Sequence, residues 1–291
     1  MRCSLTTLDA HGSKVPIGLN INMNLSCVLV ACNENTHYLD FWPIVKKAWL
    51  RIANLPCIMV YVGEVLPATL QGDPAVRWFK PISGWPTATQ AQCIRLLYPA
   101  LLDFNGAVMI SDIDMIPLQA DWFITGFSQF REDQFVSLRG IDEEAKQIYM
   151  CYVGGTPKVW GEMFGISCEQ DIRDRLTDWS ANYVSTGKTP HFTPDGREYY
   201  LGWITDQQEL YKHVTGWYND RAHRIGLIPL TTDFPRLCRD RPSEWLNLSP
   251  DFKRALRGGA YIDFHMPAFQ EYENQIEMIV MGCTYGKSSQ M

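Results

Sequence analysis

The chain has 291 residues, 46% hydrophobic and 20% charged, a composition that excludes a disordered, collagenous or membrane-embedded protein. A formal net charge of −6 and a pI near 5.5 argue against a nucleic-acid backbone as partner, because that binding relies on clustered Lys and Arg. Nine cysteines, odd in number and without C-x-x-C spacing, read as free thiols of a reducing compartment; with no signal-peptide run and no apolar stretch near the ~18 residues of a membrane span, the expected location is cytoplasmic.

Residues 1–22 carry Gly12, Pro16 and Gly18 without periodicity and read as an irregular N-terminal arm. Cys27-Val28-Leu29-Val30-Ala31-Cys32 has the continuous apolar character of a strand buried on both faces. Phe41, Val45, Ala48, Trp49 and Ile52 then recur at helical spacing, and Pro43 places the helix start near Asp40. Cys57 to Val62 follows as a second strand, completing a unit whose crossover favours a parallel sheet. Thr87-Ala88-Thr89-Gln90 has the pattern of a capping box. It opens a helix with Ala91, Ile94, Leu97 and Leu101 on its apolar face, Gln92 and Arg95 on a polar face, and Pro99 as its kink or end. Ala107 to Ile110 is another buried strand. Beyond it the pattern predicts strands at 134–138 and 148–153, a helix over 157–164 and a long polar loop over 173–198. A second capping box, Thr205-Asp206-Gln207-Gln208, opens a helix through Val214; strands at 223–230 and 261–264 and a helix over 268–281 close the chain.

The segment richest in chemistry is Ser111-Asp112-Ile113-Asp114, directly after the 107–110 strand. Open α/β sheets bind ligands outside the carboxyl ends of their strands, which is where these two carboxylates fall. Paired hard oxygen ligands suit Mg²⁺ or Mn²⁺, and such an ion can bridge the phosphates of a nucleotide. Equally, two turn carboxylates can do no more than cap the end of a strand.

The run Ala88-Thr89-Gln90-Ala91-Gln92-Cys93-Ile94-Arg95-Leu96-Leu97-Tyr98-Pro99-Ala100-Leu101-Leu102, followed by the D-x-D strand, resembles the A-x-x-x-R-L-x-x-P-x-L and hydrophobic-D-x-D run of GT-A-fold nucleotide-sugar glycosyltransferases. The nearest likeness is to the glycogenin and lipopolysaccharide galactosyltransferase group. The loop Cys32-Asn33-Glu34-Asn35 with Tyr38 is similar to that group's uridine-contacting loop, and Thr205-Asp206-Gln207-Gln208-Glu209-Leu210 looks like its D-Q-D-x-[LF] motif. His265, in Asp263-Phe264-His265-Met266-Pro267, stands where the group places its third metal ligand. The run Ser111-Asp112-Ile113-Asp114-Met115-Ile116-Pro117 looks closer still to large-virus and algal glycosyltransferases with S-D-x-D-M-x-P. Two departures stand out. The group's F-N-x-G segment is echoed only loosely by Cys151-Tyr152-Val153-Gly154-Gly155, and its G-x-x-K-P-W tail after the His is absent.

The resemblance implies an α/β fold, with a Rossmann-like, mostly parallel central sheet flanked by helices. It implies one domain over 23–291, with a nucleotide-binding part over 23–115 and an acceptor-side part over 116–291. The implied activity is metal-dependent transfer of a sugar from a nucleotide diphosphate sugar, UDP-linked by the likeness, to a glycan or other hydroxyl acceptor. Asp112, Asp114 and His265 would hold Mn²⁺ or Mg²⁺, the imidazole favouring Mn²⁺. Ala31, Asn33, Arg95, Asp112, Ile113, Gly154 and Gly155 are the implied donor contacts. Asp206 and Gln207 are the implied catalytic pair, with retention of configuration, and Trp203 is first among Trp85, Trp122, Trp160, Trp179 and Trp217 as an acceptor platform. A viral source would place the protein in the host cytoplasm. Simpler roles compete at each position: a structural ion pair for Arg95, a helix-dipole partner for Asp206, a hydrogen-bonded core residue for His265 and an ordinary strand-to-helix turn for Ala31 to Asn33. For the whole chain the competing functions are an inverting transferase with Asp206 as general base, an inactive nucleotide-sugar-binding module, and a phosphatase with an aspartyl nucleophile, which would need its D-x-D on the first strand.

Overall fold

The computed structural model describes residues 22–186, 190–192, 198–200, 204–219, 224–227 and 235–284, together with the pairs 7–8 and 14–15. Within the expected irregular arm, Thr7–Leu8 pairs antiparallel with Lys14–Val15. The strands used below are β1 (Leu25–Asn33), β2 (Cys57–Val62), β3 (Val76–Phe79), β4 (Ala107–Ile110), β5 (Met115–Pro117), β6 (Phe135–Ser137), β7 (Val153–Gly155), β8 (Ile225–Leu227), β9 (Arg236–Cys238) and β10 (Asp263–His265). The helices are α1 (Trp42–Ala48), α2 (Thr87–Leu97), α3 (Ala120–Ser128), α4 (Pro157–Phe164), α5 (Glu169–Thr186), α6 (Thr205–Asn219), α7 (Pro250–Arg257) and α8 (Phe269–Thr284).

Seven strands form the central sheet in the order β8-β6-β7-β4-β1-β2-β3. Only β7 runs against its neighbours, so the mostly parallel sheet flanked by helices that the sequence implies is present. The middles of its central strands, such as Cys27 to Cys32 of β1, are apolar because both faces are covered. Alternate residues of β1 feed two separate cores: Val28, Val30 and Cys32 face one, and Cys27, Leu29 and Ala31 face the other. The first core is completed by Ile44, Val45, Phe123 and Phe127 from α1 and α3, and the second by Ile94, Leu97, Val159 and Leu176 from α2, α4 and α5.

A smaller sheet, β9-β10-β5, grows from the end of the large one. β5 starts directly after the D-x-D segment and pairs antiparallel with β10, setting His265 opposite Met115. The Met266 N–H donates to the Asp114 carbonyl at 2.8 Å, so this pairing carries His265 to Asp114 across 151 residues of chain.

Several expected elements differ in detail. The helix expected to start near Asp40 starts at Trp42 and widens into a π turn at Trp49–Ala53, which ends where Asn54 turns left-handed at φ 55°. The expected capping box at Thr87 does not form: Pro86 is the N-cap. The Gln90 side chain instead holds the preceding loop, accepting from Ile82 N and donating to the carbonyls of Ile82 and Trp85, while the Thr87 hydroxyl donates to Glu34. The expected strand over 148–153 is a turn, because Tyr152 takes a left-handed φ of 70°, and pairing begins only at Val153. The polar stretch from 173, expected as a loop, lies in α5 as far as Thr186. Ile172, Leu176 and Trp179 form the buried stripe of α5, and Asp171 caps its start by accepting from the Ser167 and Cys168 N–H groups. The eight described cysteines are all free, five of them buried. Among the described residues no helix is long and apolar enough to cross a membrane.

One buried ion pair joins β9 to β10 within the small sheet, and the Tyr152 hydroxyl ties that pair to the rest. Asp263 is fully buried, accepts two bonds from Arg236 Nε and Nη2 at 2.8 and 2.5 Å, and receives the Tyr152 hydroxyl at 2.5 Å. Burial works against the Arg236 charge, but the bonds to Asp263 outweigh it and raise the Arg236 pKa. Removing the carboxylate takes the counter-charge from the part-buried Arg236 guanidinium, so Asp263→Ala is expected to lower the unfolding free energy by about 3–5 kcal/mol. Tyr152→Phe is expected to cost less, about 1–3 kcal/mol, because it removes one bond and no charge. Urea unfolding of the two variants checks both the size and the order.

Candidate active site

A cleft of about 310 Å³ opens at the carboxyl ends of β1 and β4. Its walls come from the end of β1 (Ala31, Cys32, Asn33), from Tyr38, from one face of α2 (Ala88, Ala91, Gln92, Arg95), from the D-x-D segment and from the first turn of α6. Arg139, Tyr149, Met150 and Cys151 line it on the β7 side, and Arg239 and His265 on the small-sheet side.

The sequence candidates Ala31, Asn33, Arg95, Asp112, Ile113, Asp114, Asp206, Gln207 and His265 therefore meet in one place. Gly154 and Gly155 do not reach the cleft lining. They lie inside β7, where a Cβ on Gly154 would stand 2.8 Å from both Phe127 Cζ and the Val108 carbonyl, and one on Gly155 would stand 3.0 Å from Val159. Tight packing accounts for these glycines, and the adjoining Cys151 is the residue of that segment that lines the cleft. Trp203 lies outside the described residues. Of the other tryptophan candidates, Trp85, Trp160 and Trp179 are buried in the core, Trp122 packs against it, and neither Trp122 nor Trp217 lines the cleft.

Arg95 organises the interior of the site. Its side chain is 7% exposed, pairs through Nη1 with Asp112 Oδ1, donates from the same nitrogen to the Ser111 carbonyl at 3.1 Å, and reaches Asp206 Oδ2 through Nη2 at 3.3 Å. Burial alone would lower the Arg95 pKa; the two carboxylates outweigh it and raise it. For Asp112 burial pushes upward, but Arg95 pulls harder, with help from His265 and Arg236, and the carboxyl is held below its usual range. Asp206 goes the other way. Burial dominates, offset only partly by Arg95 and by the Gln207 N–H that donates to Oδ1 at 2.8 Å, and its carboxyl is pushed up to about 6.

Asp114 is the outer carboxylate. Its Oδ2 accepts from Arg239 Nη1 at 3.0 Å and meets His265 Nε2 at 3.2 Å. Among the described residues no three His, Cys, Asp or Glu side chains close on one point as a ready metal centre. The donor chemistry nevertheless fits a divalent cation: two carboxylates and an imidazole line one cleft, and neither Asp112 Oδ2 nor Asp114 Oδ1 takes a hydrogen bond from the described residues. Three arginines and three aspartates line the same cleft, so its formal charges are close to balance.

Arg239, Arg139 and Tyr149 are cleft residues that pattern reading missed. Arg139 stacks over Tyr149 at 4.8 Å and donates to Cys151 Sγ at 2.9 Å. None belongs to a recognisable spacing; the one available hint is Arg239 in the charged run Arg239-Asp240-Arg241 directly after β9.

The sequence matches no protein-family model and no curated protein sequence. Among solved structures it is similar to the glycosyltransferase GlyE of Streptococcus pneumoniae TIGR4, with a TM-score of 0.46 and 12% identity over 88% of this chain and 63% of that one. It is also similar to the galactosyltransferase LgtC in complex with donor and acceptor sugar analogues (TM-score 0.39, 10% identity, 87% of this chain and 95% of that one). A third similarity is to the bifunctional glycosyltransferase WbbM in its apo form (TM-score 0.39, 11% identity, 96% of this chain and 54% of that one). The chain thus spans less than two thirds of the length of GlyE and WbbM. These TM-scores and identities are low, and the functional reading below rests on the cleft itself.

The raised Asp206 pKa has a consequence for stability. In the unfolded chain this carboxyl loses its proton near pH 4, whereas in the folded protein it keeps it to about 6, so the folded state binds the extra proton between those values. The contribution of Asp206 to stability is therefore greatest below about pH 4 and is lost as pH rises through about 6. Asp206→Asn removes that dependence. The unfolding free energy of the variant relative to wild type is expected to rise by on the order of 1–3 kcal/mol between pH 4 and pH 7. Denaturant titrations at the two pH values measure it.

Proposed function

We propose that the protein is a glycosyltransferase that binds a nucleotide diphosphate sugar, UDP-linked by resemblance, in the cleft at the carboxyl end of its sheet. The carrying observation is the convergence of Ala31 and Asn33, Arg95, Asp112, Asp114, Asp206, Gln207 and His265 on one cleft, from five separate stretches of chain. Asp112, Asp114 and His265 would hold the divalent ion, with Mn²⁺ favoured by the imidazole. A cation bound there supplies Lewis-acid neutralisation of the charge that develops on the diphosphate leaving group.

The chain's own residues set the rest. The end of β1, with Asn33 bonded to the Thr87 hydroxyl at 3.1 Å, forms a fixed polar edge suited to a base and ribose. Arg95 is fully engaged by protein oxygens, so its role is to hold Asp112 and Asp206 in place. Asp206 is 3% exposed and has both oxygens bonded, one to Arg95 and one to the Gln207 N–H, which leaves it poorly disposed to take a proton from an acceptor hydroxyl. That favours a stabilising carboxylate and a retaining transfer over the inverting alternative. Gln207, half-buried on the cleft wall, offers a neutral polar side chain where the sugar's reacting carbon would lie. The phosphatase alternative fares worse: the D-x-D follows the fourth strand, and the would-be nucleophile Asp112 is paired with Arg95.

Incubation with a panel of nucleotide sugars and Mn²⁺ is expected to release the nucleoside diphosphate from one donor, faster with a hydroxyl acceptor present. No release from any donor would favour a binding module instead. Asp114→Ala is expected to abolish metal-dependent UDP affinity in calorimetry while the protein stays folded, and unchanged affinity would refute the metal role.

A further inference from the structure

The cleft carries a half-exposed cation whose donors are not used up. Arg239 follows β9 directly, and its backbone N–H donates to the His265 carbonyl at 2.9 Å, fixing the residue beside the end of β10. From there Nη1 reaches Asp114 Oδ2 at 3.0 Å, the same oxygen that His265 Nε2 meets at 3.2 Å. Nε and Nη2 donate to none of the described residues, and the side chain is 38% exposed. Arg95, in contrast, is 7% exposed and held on both sides by carboxylates. The two guanidiniums therefore differ in kind. One is a buried clamp; the other lies at the cleft wall with most of its planar donor fork available, the geometry suited to two-point contact with phosphate oxygens.

We propose that Arg239 is the residue that binds the donor's diphosphate, and that it is kept on Asp114 as a stand-in counter-ion until a divalent cation enters. The proposal rests on the glycosyltransferase reading of the cleft. Its physical basis is competition for one oxygen. A guanidinium and a divalent cation at the same carboxylate repel each other, so a metal ion taking Asp114 pushes Arg239 off. The released guanidinium then needs an anion, which the incoming diphosphate provides. Because the side chain is already partly in water, this exchange requires no large desolvation. Metal-free, the site avoids leaving Asp114 uncompensated beside Asp112; loaded, it gains a cation aimed at the ligand. No covalent bond changes in the exchange.

Calorimetry on wild type, Arg239→Gln and Arg239→Lys, each with Mn²⁺ alone, with uridine in Mn²⁺ and with UDP in Mn²⁺, tests the proposal. Arg239→Gln is expected to bind Mn²⁺ alone a few-fold more tightly, since the competing cation is gone, and to bind UDP about tenfold more weakly, the size of one lost charge-assisted contact. Its uridine affinity is expected to match wild type, and Arg239→Lys is expected to recover part of the UDP loss. Equal UDP affinity in wild type and Arg239→Gln overturns the proposal and leaves the glycosyltransferase reading standing. So does an equal loss for uridine and UDP, which marks general damage to the cleft, and weaker Mn²⁺ binding overturns the displacement step. A wild type that binds no UDP in Mn²⁺ overturns this proposal and the reading beneath it together.

Discussion

A single buried guanidinium holds this cleft in shape. Arg95 reaches from α2 to the end of β4 through Asp112 and to the first turn of α6 through Asp206, so three elements distant in sequence share one charge. The guanidinium sits between two carboxylates, and it is its removal that would leave both of them without a counter-charge at the floor of the cleft. The constraint also divides labour between the aspartates. Asp112 is kept ionised by its short contact with Arg95, whereas Asp206, deeper and further from the guanidinium, holds its proton to about pH 6.

The second constraint is topological. β5 leaves the D-x-D segment and immediately pairs antiparallel with β10, so Asp114 and His265 are neighbours by strand register rather than by chance of loop packing. β9 runs parallel on the other side of β10 and delivers Arg239 to the same place. Asp263, one strand position before Phe264, anchors this small sheet through Arg236 and Tyr152. An acidic chain with a formal net charge of −6 thus presents a cleft whose three aspartates are already bonded to two arginines, Arg95 and Arg239. A divalent ion bound as proposed would take the place of Arg239 at Asp114.

Much of this was legible in the sequence. Continuous apolar runs marked β1, β2 and β4, because strands covered on both faces leave no room for alternation. The carboxyl-end rule placed Asp112 and Asp114 in the cleft, and family order placed Arg95, Asp206 and His265 beside them. What was missed has physical causes. The stripe of Ile172, Leu176 and Trp179 is narrow and set in a polar background, so α5 read as a loop. Thr87 and Gln90 satisfy a capping pattern locally, yet tertiary partners, Glu34 and the 82–85 loop, take their side chains. Gly154 and Gly155 carried a functional echo that close packing against Phe127, Val108 and Val159 explains better. Arg239 has no spacing relationship to Asp114, since only the β9-β10-β5 pairing brings them together, and pairing between strands of such separation leaves no local signature.

The most direct test of the central claim is a crystal structure of the protein with UDP and Mn²⁺, recorded with anomalous data at the manganese edge. The expected result is one manganese peak bounded by Asp112, Asp114 and His265, with the diphosphate against it and the uracil along Ala31 to Asn33. A nucleotide bound away from the D-x-D cleft, or bound within it with no metal at Asp114, would contradict the account.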